Sequence, residues 1–122
     1  MSSANRTMRI LLIERDPTLQ HLRALMLRMK GYFVTGASNI EEAREKLDEA
    51  IYHLTIIDVG HFARPGIEFC EQIKKKYPRM KVLMQAEDSA IHPREHCPDM
   101  VVPKQEGPHT FITEVERLLT AS

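Results

Sequence analysis

Apolar runs of strand length recur along the chain, each separated from the next by a stretch whose apolar residues return at helical spacing. This alternation constrains the fold most tightly. A run that is apolar at every position needs cover on both faces, and helices between the runs supply it. MRILLI (8–13) is the first such strand. Asp16 followed by Pro17 reads as an N-cap with proline at the first helical position, and Leu19, Leu22, Leu25, Met26 and Met29 form the apolar stripe of a helix that Gly31 ends. YFVTGA (32–37) is the second strand. Ser38 or Asn39, with Glu41 and Glu42, opens a helix through Ala50 whose Ile40, Ala43 and Leu47 face inward.

HLTIID (53–58) is the third strand and VGHFARPG (59–66) a loop. A helix follows through IEFCEQIKKKY (67–77), where Lys74, Lys75 and Lys76 read as a solvated end suited to the helix dipole. MKVLMQA (80–86) and DMVVPK (99–104) are strands four and five, and HTFITEVERLLTA (109–121) closes the pattern as a helix. Pro93 and Pro98 restrict the fourth crossover to a short helix at most. Five strands alternating with helices predict an α/β domain: a doubly wound parallel sheet with right-handed crossovers and helices on both faces.

The 122 residues suit one domain, taken as 8–120 after a flexible N-terminus at 1–7. Seventeen Lys plus Arg balance seventeen Asp plus Glu, so no global field draws the chain to nucleic acid or a membrane surface. No apolar run approaches the ~20 residues of a membrane helix, and MSSANRTMRILLIE is a poor secretory signal. Cys70 and Cys97 are too few for a disulfide framework and read as reduced thiols in a cytoplasmic protein. Met26, Met29, Met80, Met84 and Met100 fall on inferred core faces. His92, His96 and Cys97 in HPREHC read as a polar loop rather than a zinc site, because no fourth ligand is evident. Phosphate-loop, dinucleotide and nucleophile-elbow patterns are absent.

In an open sheet of this kind, ligands gather beyond the carboxyl ends of the strands. Glu14 and Arg15 follow strand one, Asp58 ends strand three, and Lys104 follows strand five. An aspartate sharing a site with a lysine and a second acid points to function rather than capping.

These pieces, in their order and spacing, resemble the receiver domain of two-component response regulators over residues 8–120. They are ILLIERDP, IIDVGHFARPG with Gly66 eight residues after Asp58, the VLM strand, and the lysine of VVPKQ. The resemblance implies a flavodoxin-like sheet in order 2-1-3-4-5. It also implies a cytoplasmic phosphoprotein in which Asp58 accepts a phosphoryl group from a histidine kinase or phosphotransfer protein, and which signals to a downstream effector. In that family Mg binds an acidic cluster, here Glu14, Asp16, Asp58 and the Gly60 carbonyl, beside Lys104. The protein is then a non-enzymatic switch. A metal-dependent hydrolase on a similar sheet is disfavoured, since the pocket offers no general base.

The departures from the family pattern lie in the same pocket. Arg15 stands where a second acid is usual, Gln85 where a Thr or Ser hydroxyl is, Val101 at the switch aromatic, and Gln105 at a proline. Glu14 and Asp58 against Arg15 and Lys104 sum to zero charge, so an inward Arg15 guanidinium would fork onto Asp58 and remove the demand for a divalent cation; the alternative is an Arg15 turned out to solvent that merely spoils the metal site. Two functions follow: a phosphoryl acceptor with impaired Mg chemistry, or a pseudo-receiver that binds partners without phosphorylation.

Overall fold

The computed structural model describes residues 7–60, 63–87 and 97–120. In chain order the elements are β1 (Arg9–Ile13), α1 (Pro17–Met29), β2 (Phe33–Ala37), α2 (Ile40–Glu49), β3 (Leu54–Gly60), α3 (Ala63–Lys76), β4 (Lys81–Ala86), β5 (Met100–Pro103), a 3-10 turn (Lys104–Glu106) and α4 (Gly107–Thr120). The five strands form one sheet in order β2-β1-β3-β4-β5, all pairs parallel, as the sequence implied.

Alternation along each strand divides the core into two layers. Leu11 and Ile13 of β1, with Ile57, Val82 and Met84, pack against Ala43 and Leu47 of α2 and Phe69, Cys70 and Ile73 of α3. Ile10 and Leu12, with Leu54, Ile56 and Leu83, pack against Ala24 and Leu27 of α1 and Phe111, Val115 and Leu118 of α4. Both faces of the central strands are therefore dry, which is why those strands carry no alternating polar residues.

The helix ends follow their capping residues. Asp16 Oδ1 accepts from the Thr18 and Leu19 amides at 2.9 and 3.2 Å, and Pro17 opens α1. Gly31, at φ 97°, carries the chain out of it in a conformation that favours glycine. Of the two candidate caps for α2, Asn39 is the one used: its side chain accepts from the Glu42 amide, while Glu42 accepts in return from the Ser38 amide.

Several expectations need correction. The buried face of α1 is only partly the leucine and methionine stripe: Leu22, Leu25 and Met29 are 49%, 45% and 79% exposed, whereas Leu19 and Met26 are half-buried and the other inward positions are Gln20, Arg23, Ala24 and Leu27. Helix α3 begins at Ala63 rather than after Gly66. Pro65 falls in its first turn, where the missing N–H costs nothing. Gly66 is required by a close approach, because a Cβ there would overlap Val59 Cγ1 on β3.

Lys74 is no free solvated lysine. Its ammonium donates to the Met80 carbonyl at 2.9 Å and pairs with Asp99 at 2.6 Å. Cys70 and Cys97 are joined as a disulfide, with Cα atoms 6.3 Å apart, so the reduced-thiol reading is overturned. The two cysteines are 27 residues apart, so nothing in their spacing announces the pairing. The fourth crossover at 88–96, including His92 and His96, lies outside the described residues, as does the N-terminus at 1–6.

The Gly66 approach yields a test. In an unconstrained helix Gly→Ala stabilises by about 1 kcal/mol. Gly66→Ala should instead destabilise by about 1–3 kcal/mol, because Val59 is a stiff, buried side chain that must be displaced. The midpoint of urea unfolding measures it, and a gain in stability would show that the helix and strand have room to separate.

Candidate functional site

The carboxyl end of β1 delivers Glu14 into the interior, 4% exposed. Its backbone is held by its own amide, which donates to the Ala37 carbonyl at 2.9 Å, and by Gln20. Gln20 Nε2 donates to the carbonyls of Glu14 (2.8 Å) and Ala37 (3.2 Å), tying the ends of β1 and β2 to α1. The Glu14 carboxylate accepts from the Asp16 amide at 2.9 Å. Asp58 stands beside it on β3, which runs two residues past the predicted end at Asp58, and is in register with Gln85 on β4.

Two cations meet these carboxylates. Lys104 Nζ lies 2.8 Å from Asp58 Oδ1. Arg23, from the buried face of α1, places a single nitrogen, Nη1, against Glu14 Oε1 and 2.8 Å from Asp58 Oδ2. Arg23 is thus the bridging cation, and of the two poses open to Arg15 the outward one is found. Arg15 is exposed and outside this network, because it follows Glu14 directly and precedes the α1 cap, where the chain turns outward. Asp16 spends its carboxylate on the α1 amides, as a cap, rather than in the pocket.

A readable signal for Arg23 existed. It lies four residues after Leu19 and four before Leu27, so it shares their face. A charged residue there must reach a buried partner or leave the core. The competing stripe through Leu22 and Leu25 lies on a different, exposed face.

The electrostatics follow from burial and hydrogen bonding. Burial, reinforced by a hydrogen bond shared with Asp58, pushes the Glu14 carboxyl up to about 7 against an ordinary 4.5. Burial also presses Asp58 upward, but hydrogen bonds from Glu14, Lys104 and Arg23 outweigh it and leave that carboxyl below its ordinary range. Asp58 therefore carries the charge and Glu14 holds a proton through much of the range below neutrality. Gln85, 3% exposed, occupies the hydroxyl position, and its Oε1 has no hydrogen-bond partner among the described residues.

A divalent cation does not fit these residues as arranged. Glu14, Asp58 and the Gly60 carbonyl would be its donors, yet the guanidinium lies between the two carboxylates, and two positive centres there would repel strongly at low dielectric. No group of three or more His, Cys, Asp or Glu among the described residues could hold a metal. Nor is any described helix long and apolar enough to cross a membrane.

The raised Glu14 pKa fixes a direction for stability. The folded state holds a proton that the unfolded chain has released, so stability falls as pH rises from about 4.5 to about 7. The depressed Asp58 contributes the opposite slope, lost as pH drops below its ordinary 3.8. Glu14→Gln keeps a neutral side chain of the same shape at every pH. The wild type should lose stability relative to this variant across that upper window in thermal melts, and parallel curves would show that Glu14 ionises normally.

The chain matches the response regulator receiver domain over residues 10–113. It is 28% identical to the transcriptional regulatory protein ResD of Bacillus subtilis across 98% of this chain, and spans about half the length of that relative. Among solved structures it resembles the response regulator TrrA of Thermotoga maritima in complex with Mg2+-BeF, with a TM-score of 0.79 and 28% identity over 93% of this chain and 100% of TrrA. The same regulator in complex with the histidine kinase ThkA superposes with a TM-score of 0.80 at 26% identity, again over 93% of this chain and 100% of TrrA. With its 2-1-3-4-5 sheet and its acid, lysine and aspartate gathered at the strand ends, the chain belongs to the response regulator receiver domains of two-component systems.

Proposed function

We propose that this receiver works as a protein-interaction module whose Asp58 is withheld from Mg-assisted phosphoryl transfer by Arg23. One observation carries the reading: Arg23 Nη1 bridges Glu14 and Asp58, where a cation shared by two carboxylates belongs. Charge counting supports it. With both acids ionised, Glu14 and Asp58 are matched by Arg23 and Lys104, and with Glu14 protonated the pocket is already positive. A further divalent ion gains nothing there. Gln85 offers no hydroxyl to a phosphoryl oxygen. The module has no turnover of its own and acts in the cytoplasm through protein partners rather than through nucleic acid or a membrane.

A second reading is favoured by the state of Asp58, which is ionised and 2.8 Å from Lys104. A carboxylate oxygen so placed could attack the phosphorus of a phosphohistidine. The P–N bond would break and a P–O bond form, with Lys104 and Arg23 meeting the new charge. TrrA, with its kinase complex, makes a histidine kinase the natural donor, and a downstream effector would read the result.

Labelling of Asp58 by acetyl phosphate, followed by mass spectrometry with Asp58→Asn as blank, separates the two. The wild type should label negligibly with millimolar Mg, whereas Arg23→Leu should bind Mg and label at least about tenfold faster. Arg15→Asp alone should change little, because the Arg23 bridge remains. Wild-type labelling as fast as that of Arg23→Leu establishes the phosphoryl acceptor and removes the interaction-only reading.

A further inference from the structure

The disulfide between Cys70 and Cys97 lies outside the acidic pocket, and nothing in the phosphoryl chemistry uses it. Cys70 is fully buried on α3, among Phe69, Ile73 and Met84. Cys97 is half-buried, two residues before Asp99, at the approach to β5. One helical turn beyond Cys70, Lys74 grips Asp99 at 2.6 Å, and Asp99 in turn accepts from the Val82 amide at 2.8 Å. Two fasteners, one covalent and one ionic, therefore join the same face of α3 to the start of β5.

Strand β5 is a four-residue edge strand, paired only with β4 among the described residues. Its far end runs directly into Lys104, which is bonded to Asp58. So short a strand depends on being held at both ends, since few ladder hydrogen bonds resist its opening.

We propose that Cys70 and Cys97 are a reversible redox modification site that sets how firmly edge strand β5, and with it Lys104, is held. Reduction is by thiol–disulfide exchange with a dithiol. The reductant's thiolate attacks the more exposed Cys97 sulfur, the S–S bond breaks, and Cys70 leaves as a thiolate that takes a proton. The second thiol of the reductant then attacks the mixed disulfide and releases Cys97, so two electrons pass to the protein and the reductant becomes a disulfide. The Lys74–Asp99 pair stays behind, which makes the covalent bond removable without loss of the fold. The inference goes beyond the interaction reading and does not depend on whether Asp58 is phosphorylated.

Alkylation and intact mass of the whole chain, equilibrated at stepped ratios of oxidised to reduced dithiothreitol, follow the bond directly. Both cysteines should be blocked under oxidising conditions and both alkylated under reducing ones, with far-UV circular dichroism unchanged. Hydrogen exchange of the β5 amides should rise at least about fivefold on reduction while β1 stays protected. A Cys70→Ser, Cys97→Ser double variant should match the reduced form and ignore the reductant. Lys74→Met removes the ionic fastener, so the melting-temperature gap between oxidised and reduced forms should be wider than in the wild type. Failure of the disulfide to form, global unfolding on reduction, or β5 exchange indifferent to redox state would each overturn the proposal.

Discussion

Two carboxylates meeting inside a small sheet are the constraint on which the pocket depends. Neither Glu14 nor Asp58 can stay buried and charged without a partner, and a buried charge left alone costs several kcal/mol. The protein answers with a proton on one acid, a lysine from the end of β5, and an arginine from the buried face of α1. The last is the unusual element. A guanidinium offers directional N–H donors and carries its charge at every physiological pH, so it fills the role of a shared cation without coordination geometry.

The architecture was legible because its determinants are local. Runs such as Ile10–Ile13 and Leu54–Ile57 are apolar at almost every position, and Asp16–Pro17 and Asn39 mark helix starts by short-range hydrogen bonding. The site was legible as a place and less so as a set of contacts. Asp58, Glu14 and Lys104 converge because strand ends converge in any sheet of this order. Which arginine enters is a question of helix rotation, and α1 has two competing apolar arcs. The longer arc, through Leu22, Leu25 and Met29, proved to be the exposed one. The Cys70–Cys97 bond and the Lys74–Asp99 pair were not legible for a related reason: both join segments 25 or more residues apart, so their existence depends on tertiary packing rather than on spacing.

Helix α3 shows how a local rule yields to packing. Glycine and proline in ARPG read as loop residues, and within the fold they serve a helix start. Proline takes a position with no N–H to satisfy, and glycine clears Val59 so that the helix can lie close over β3. The same closeness brings Cys70 into the core layer beneath the β5 approach.

Gln20 and Arg23, one turn apart on α1, grip Glu14 from two sides: the amide holds its backbone carbonyl together with that of Ala37, and the guanidinium holds its carboxylate. Helix α1, the end of β1 and the end of β2 are thereby bolted into a single rigid block. Asp58 belongs to the other block, with β3 and, through Lys104, β5. The two are joined through the sheet by the pairing of β1 with β3, and at the pocket by Arg23 and by the hydrogen bond between the Glu14 and Asp58 carboxyls. A displacement of α1 therefore reaches the aspartate directly, through side chains, as well as through the strands.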